Sequence, residues 1–568
     1  MKDRSRKRQV VSLWSRFFWC TLVVVFFCVL FTGSSLSTVR LLLGEKLHPE
    51  VLSTWRPPVM KAMLSDSQPN SAVLIRDTVI LPDHVLLFLE YPHSARLFTK
   101  EEMDCVYLLA NSSSSQPQVK QPPDSIDGGG DAKDQIVRCP LSSHGSDVVS
   151  LAMKSGGQIQ LGPTHRWDSL VYEAMIDYDN TTILFVKGLN LRPEKIYNTS
   201  RFECLYGWDF KRPKFILRSN VISIAQEIAR CQTPLSILSN QAKLNSSSIK
   251  VSIRVKGRGT FPSIARPVHQ QAFESDPISR KPNEMCICTM LRNQARFLKE
   301  WVVYHAHIGV ERWFIYDNNS DDEIDSVIES LVESKYNISR HLWPWVKTQE
   351  AGFAHCALRA RAWCEWVGFI DVDEYFHLPT GLDLPVLIKN QTETFTNVAE
   401  IRAACHSFGP SGLKEAPPQG VMVGYTCRLA IAERHKSIVK PEALNSSLIN
   451  VVHHFHLKDE FRHVNVDRSL MVINHYKYQV WEVFKQKFQR RVATYVVDWQ
   501  NEQNVGSKDR TPGLGTRPVE PPDWFSRFCE VNDTGLRDRV VNNFLDPLTN
   551  LLPWQEVEGI MVEQKVLR

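Results

Sequence analysis

The sequence has no Walker A loop, no GxSxG elbow and no GxGxxG after its first α/β strand. The strand that could carry a dinucleotide fingerprint runs instead into Thr289-Met290-Leu291-Arg292-Asn293. These absences exclude a P-loop NTPase, a Rossmann dinucleotide site and an α/β-hydrolase nucleophile. No CxxC pair has partner Cys or His residues at zinc spacing, which excludes a structural zinc module. An EF-hand beginning at Asp371 fails, because its sixth position is Phe376 and its twelfth Leu382. Charge of one sign is also scarce: the net charge is only +5 over 568 residues. That balance gives no footprint for nucleic acid.

The N-terminus reads as an address. Lys2, Arg4, Arg6, Lys7, Arg8 and Arg16 form a basic head, and no charge follows from Phe17 to Val39. As a helix this run would be about 35 Å long, from a rise of ~1.5 Å per residue. That spans a hydrocarbon core of about 30 Å. The positive flank stays cytosolic, so the expectation is a 1–16 tail, a 17–39 signal anchor and a luminal remainder. Sequons at Asn111, Asn180, Asn198, Asn245, Asn318, Asn337, Asn390, Asn445 and Asn532 agree with a lumen. So does the cysteine content, since an oxidising compartment pairs thiols. Cys286 and Cys288 share a strand face. Cys356 and Cys364 read as one helix, two turns apart, and so do not bridge each other. The odd count of 11 cysteines beyond the anchor leaves at least one unpaired.

Beyond a 40–70 stem, residues 71–255 are strand-like. The runs are Ala72–Ile75, Thr78–Leu81, His84–Leu89, Asp147–Ala152, Ile183–Lys187, Lys214–Leu217 and Ile249–Val255. The Ser-, Gly- and Pro-rich stretch 111–135 reads as a disordered loop. The expectation is a β-rich, sandwich-like domain, then a 256–282 linker. From Asn283 strands and helices alternate through 550. Strands are expected at Met285–Met290, Arg312–Tyr316 and His341–Trp345, with a fourth ending at Asp371, separated by helices with 3.6-residue apolar faces. This β-α-β series implies a mostly parallel, doubly wound sheet, Rossmann-like in layout. Ligands bind such sheets beyond the carboxyl ends of the strands. Arg292-Asn293, Asp317–Ser320 and Asp371-Val372-Asp373 fall at those ends.

The last of these carries the chemistry. Trp366-Val367-Gly368-Phe369-Ile370 drives an apolar run into two carboxylates at i, i+2. On an extended strand they share a face. Side-by-side carboxylates repel unless water or a cation intervenes. Their hard oxygens suit Mn²⁺ or Mg²⁺, which also binds phosphates.

Four blocks resemble glycosyltransferase family 92: Cys288–Asn293, Leu298–His305, Phe369–Tyr375 and Asn474-His475-Tyr476. The layout is similar to plant members, including the β-1,4-galactan synthases, which carry an N-terminal β-rich, carbohydrate-binding-like domain. The resemblance implies a GT-A catalytic domain over 283–550, an inverting mechanism and a UDP-sugar donor, with UDP-galactose the expected one. A polysaccharide or glycan is the implied acceptor, the Golgi membrane the implied location, and a homodimer is compatible with it. Asp371 and Asp373 would hold the metal, with His475 or His453 completing its shell. Asp317 and Asn318 would contact uridine or ribose, and a turn-forming role is the alternative. Arg292 and Lys436 would face the diphosphate, or be exposed basic groups. The base that takes the acceptor proton would be Glu433, Glu442 or Asp459.

Trp343 and Trp345 read as sugar-stacking or core residues, the core being commoner. The helix Trp481–Arg491 reads as amphipathic, with a solvated basic face. Two competing classes stand beside the transferase. One is a membrane-anchored lectin with an inactive transferase-like domain. The other is a metal-dependent phosphoesterase, for which no ligands to a second metal are evident.

Overall fold

The structure is a computed structural model. It describes residues 73–555, apart from 91–97, 109–118, 129–134, 142–147, 155–158, 193–194, 213, 215, 240–248, 270–280 and 496–518. The expected tail, anchor and stem therefore lie outside the described residues. No helix among the described residues is long and apolar enough to cross a membrane.

The first half is β-rich. Val73–Ile80 and His84–Glu90 form an antiparallel pair at the centre of a six-stranded sheet. Beside it lie a three-stranded sheet around Met103–Leu108 and an eight-stranded sheet containing Leu170–Ile176, Thr181–Lys187 and Ile228–Gln232. Two separate cores fill this region, one around Leu87, Met103 and Val137, the other around Leu184, Tyr206 and Ile253. The arrangement is not the single sandwich expected. Each core is stapled, by Cys105–Cys139 and Cys204–Cys231 respectively. Three local expectations change. The 111–135 stretch carries the short strands Val119–Gln121 and Ser125–Asp127. The strand expected at Lys214 begins at Leu217. The expected linker carries Val268–His269, which adds to the eight-stranded sheet.

The second half is built on a nine-stranded sheet. Its strands in chain order are β1 (Asn283–Leu291), β2 (Arg312–Asp317), β3 (Ile338–Leu342), β4 (Cys364–Phe369), β5 (Glu374–His377), β6 (Val398–Ser407), β7 (Arg434–Val439), β8 (Arg462–Asn465) and β9 (Val472–His475). The spatial order is β3-β2-β1-β4-β7-β6-β9-β5, with β8 on β6. The first four strands are parallel. β7 runs antiparallel to β4, so the sheet is parallel in one half and mixed in the other. Helices α1 (Ala295–His307), α2 (Ile324–Glu333) and α3 (Gln349–Ala360) make the crossovers, and α4 (Leu384–Thr394) links β5 to β6. α5 (Trp481–Tyr495) follows β9, and α6 (Gly535–Phe544) lies near the C-terminus.

Alternation along β1 assigns its two faces. Met285, Ile287 and Leu291 join the core under α1 and α2, while Cys286 and Cys288 join the core that holds α3. That second core is shared with the β-rich half: Phe88, Tyr172 and Phe185 pack with Phe314, Trp343 and Trp345. The two tryptophans are thus core residues, 0% and 4% exposed. Residues from 72 onward form one compact unit. α3 ends at Ala360 and Cys364 opens β4, so the expected helical cysteine pair sits on two elements. Each member bonds to β1, as Cys286–Cys364 and Cys288–Cys356. A fifth bridge joins Cys427 to Cys529, and buried Cys405 is a free thiol.

Candidate active site

β4 is buried along nearly its whole length, as a central parallel strand must be. It stops at Phe369, and the paired aspartates lie in a turn rather than on an extended strand. The turn is closed by Glu374 N–H donating to Asp371 O at 3.0 Å, after which β5 begins. The strand argument for a shared face therefore gives way to a turn. The turn still brings both acids to one group of cationic side chains.

Glu374, fully buried, organises that group. Its Oε2 accepts the Asp371 N–H at 3.0 Å, and its Oε1 lies 2.6 Å from Lys436 Nζ. Lys436 comes from β7 and is buried, so it is not an exposed basic group. Its ammonium lies 3.5 Å from Asp371 Oδ2 and 2.6 Å from His453 Nε2. His453 Nδ1 lies 2.8 Å from Phe369 O. A carbonyl only accepts, so Nδ1 carries the proton and Nε2 presents a lone pair, 3.7 Å from Asp371 Oδ2. His475 on β9 faces Glu374 in register. Its Nε2 lies 3.3 Å from Asp373 Oδ2 and its Nδ1 3.5 Å from Glu374 Oε1.

The electrostatics follow from this packing. Burial pushes the Asp371 carboxyl up, but Lys436 and His453 outweigh it and hold it below the usual range. Asp373 is driven well below that range: burial opposes, while Lys487 and His475 dominate. Glu374 goes the other way, raised by burial despite Lys436. His453 is pushed down to about 3, chiefly by burial, so the imidazole is neutral and able to ligate.

The donor types suit a divalent cation, and in this structure the Lys436 ammonium stands among them, 2.6 Å from both Glu374 Oε1 and His453 Nε2. Oxygen and nitrogen atoms of Asp371, Glu374 and His453 lie within 4.8 Å of one another. The backbone carbonyl holds His453 Nδ1–H and turns the Nε2 lone pair toward the cluster, where the Lys436 ammonium lies 2.6 Å from it and would have to give way to a cation. A second set, Glu374, Cys405 and His475, is equally close.

A cleft of about 1410 Å³ lies beyond the carboxyl ends of β1 and β2; none of the cluster's own residues lines it, and Arg490 of α5, three residues from Lys487, links the two. Four basic residues, Arg292, Arg296, Lys299 and Arg490, and four acidic ones, Asp83, Asp321, Asp322 and Glu323, line it, with Trp554. Arg292 thus sits in the cleft wall, 3.8 Å from Asp83 of the β-rich half. The loops after β1 and β2 are tied together by Asn293 N–H to Ser320 Oγ at 3.0 Å and Ala295 N–H to Asp322 Oδ2 at 2.8 Å.

Asp317 and Asn318 do not reach into this cleft as expected. Asp317 is 1% exposed, with Oδ1 accepting Ser320 N–H and Oδ2 accepting Arg340 Nε–H at 3.0 Å. Asn318 Nδ2 donates to the carbonyls of Trp343 and Trp345 at 2.7 and 3.0 Å. Both shape the turn, and a glycan on Asn318 would replace one of the two Nδ2 hydrogens that make these bonds. Among the expected bases, Glu433 lies nearest the cluster. Its Oε2 accepts from Ser407 Oγ at 2.6 Å and Lys477 Nζ at 3.0 Å, two residues beyond His475. Burial raises its carboxyl, but these two donors prevail and hold it low. Glu442 pairs with Lys281, which also donates to Cys364 O at the opposite, amino end of β4. Asp459 lies in an exposed turn before β8.

Sequence reasoning missed Lys487 and Arg490. The basic face of α5 is engaged rather than wholly solvated: Lys487 is paired with Asp373, and Arg490 lines the cleft. Their spacing of three on one helix face was the available signal.

Known proteins resemble this chain along nearly its whole length. The sequence model of glycosyltransferase family 92 matches residues 281–508. A family 92 protein of Ricinus communis is 69% identical over 98% of this chain and 100% of its own length. Relatives from Oryza sativa (49%; 94% of this chain, 93% of theirs) and Arabidopsis thaliana (44%; 98% and 97%) bear the same family name. Among solved structures, a Pyrobaculum calidifontis mannosyltransferase in complex with GDP-Man and Mn²⁺ aligns over 43% of this chain and 69% of its own. It does so at 12% identity and a TM-score of 0.24.

Proposed function

The chain belongs to glycosyltransferase family 92 and is a glycosyltransferase; we propose that it is an inverting, metal-dependent GT-A enzyme moving galactose from UDP-galactose to a polysaccharide or glycan. The observation that carries this reading is the cluster of Asp371, Asp373, Glu374, His453 and His475 at the carboxyl edge of the sheet, with Lys487 on Asp373. Asp371 and Asp373, with His453 or His475, would hold Mn²⁺ or Mg²⁺. When bound, such a cation neutralises a diphosphate and stabilises the charge of departing UDP.

The chain's own residues do the rest. Lys436 holds Glu374 and Asp371 in place, and the Asp371 N–H bond to Glu374 fixes the turn. Arg292 in the cleft wall faces the diphosphate. Glu433, oriented by Ser407 and Lys477, takes the proton of the acceptor hydroxyl. The hydroxyl oxygen bonds to the anomeric carbon from the face opposite UDP. The carbon–oxygen bond to the diphosphate breaks, and its electron pair stays on the phosphate oxygen. The configuration is therefore inverted. Galactose is chosen on the resemblance to the galactan synthases. A type II Golgi membrane location is supported by the basic head, the apolar run and five disulfides that need an oxidising lumen.

The test is turnover of a panel of UDP-sugars by the full-length protein with Mn²⁺. UDP-galactose should be consumed. Asp373→Asn should lower the rate by at least about 10³-fold, the scale of losing a charge-stabilising group at the leaving phosphate, with circular dichroism showing the protein still folded despite some loss of stability from unpairing Lys487. No turnover of any nucleotide sugar, together with glycan binding, would make the chain a lectin and end this reading.

A further inference from the structure

α5 has two unlike faces. Trp481, Phe484 and Phe488 pack with Tyr478 and Trp524; the Phe484–Trp524 and Trp481–Trp524 centroids are 4.5 and 5.1 Å apart. The start of the helix is anchored as well: Trp524 Nε1–H donates to Gln479 O at 2.9 Å, and Val480 N–H donates to Tyr425 Oη at 3.3 Å. This aromatic seam fixes the rotation of the helix, so its other face cannot turn to solvent. On that face Gln486, Gln489 and Arg490 line the cleft, and Lys487 reaches past them to Asp373 and to His475 Nε2 at 3.5 Å.

We propose that Lys487, on Asp373, and Arg490, in the cleft lining, are the clamp for the donor's diphosphate, acting with Arg292 and Arg296 of the same lining. This rests on the transferase reading above. Both residue types suit that role. An ammonium is a point charge beside the metal position, and a guanidinium can grip a phosphate with two parallel N–H bonds. Burial holds the Arg490 guanidinium below its usual range; the pull of Asp373 and Asp322 opposes this, and the like charges of Arg296 and Arg292 add to it more weakly.

The test is calorimetric titration of the full-length protein with UDP and with uridine, both with Mn²⁺, alongside donor kinetics. Lys487→Ala and Arg490→Ala should each weaken UDP binding about 10- to 100-fold, the scale of losing a hydrogen bond to a charged group. Uridine affinity and acceptor KM should stay constant, and Lys487→Arg should recover part of the loss. Circular dichroism and the thermal midpoint check that the variants are folded. Unchanged UDP affinity in both alanine variants overturns the clamp while leaving the transferase reading intact. A wild-type protein that binds no nucleoside diphosphate overturns both. Equal loss of UDP and uridine assigns the helix to general support of the cleft and also overturns the clamp.

Discussion

The β-rich half is not a detachable module, and Phe185 is the residue that tests this. It lies on the strand Thr181–Lys187, is fully buried, and packs edge-on against Trp343 and His355 of the α/β half at 5.9 and 5.3 Å. Tyr172 lies beside it, 4.9 Å from Trp345. Phe185→Ala removes a ring whose partners are held by two separate sheets, so the hole cannot collapse easily. Buried Phe→Ala changes cost about 3–5 kcal/mol, a large share of the roughly 5–15 kcal/mol that holds a typical domain together. Because the lost contacts face the α/β half, both halves should lose stability together. The assay is urea unfolding followed by tryptophan emission and, in parallel, by far-ultraviolet circular dichroism. One transition, shifted to lower urea and coincident by both probes, is expected, with transferase activity disappearing along it. A loss under about 1 kcal/mol, well below that mutational range, refutes the shared-core argument. So do two transitions of which only one moves.

Two further outcomes follow from the same geometry. Replacing Cys288 and Cys356 with Ser opens a bridge with a sequence separation of 68 between β1 and α3. Chain entropy alone puts the loss at about 4 kcal/mol, read as a lower midpoint in non-reducing thermal melts, and an unmoved midpoint contradicts it. Glu300, buried on α1 and accepting the N–H groups of Val421 and Met422 at 2.9 and 3.0 Å, is raised to about 7 by burial despite those two bonds. Its folded value exceeds the unfolded one, so the native state holds more protons between about pH 4.5 and 7. Its contribution is therefore best below that window and is lost as pH rises through it, by up to about 3 kcal/mol. Glu300→Gln should flatten that part of the stability–pH curve in urea melts at pH 5 and 7.5, and an unchanged slope would count against it.

The elements that sequence reveals well are those whose pattern is local. β1, β2 and β4 are short apolar runs between punctuating residues, and the crossovers carry a 3.6-residue apolar period. Their polar ends point to one edge of the sheet, where the cleft lies. Asp317 and Asn318 are not legible in this way, because their partners are distant in sequence: Arg340 is 23 residues away, and the Trp343 and Trp345 carbonyls 25 and 27. Nothing local distinguishes an acid that binds a hydroxyl from one that buries an arginine. The paired aspartates converge by a geometry other than the expected one. A two-residue spacing converges on a strand, and here a turn produces the same convergence.

The basic face of α5 shows the limit most clearly. An amphipathic helix with Lys and Arg on one side is equally consistent with solvent and with an anion-binding cleft. Its own residues cannot decide between them. The decision belongs to Trp524 and Tyr478, which lie outside the helix and set its rotation. It belongs also to the mixed half of the sheet. The parallel strands β1, β2 and β4 bring strand ends to an edge, which yields a cleft and two acids. Lys436, His453, His475 and Lys487 all come from the chain after β6, where β7 reverses direction beside β4. That reversal sets Lys436 within 2.6 Å of Glu374 and pairs His475 with Glu374 in register. The charge balance that suits a metal diphosphate is therefore made at the seam between β4 and β7, and neither half of the sheet contains it alone.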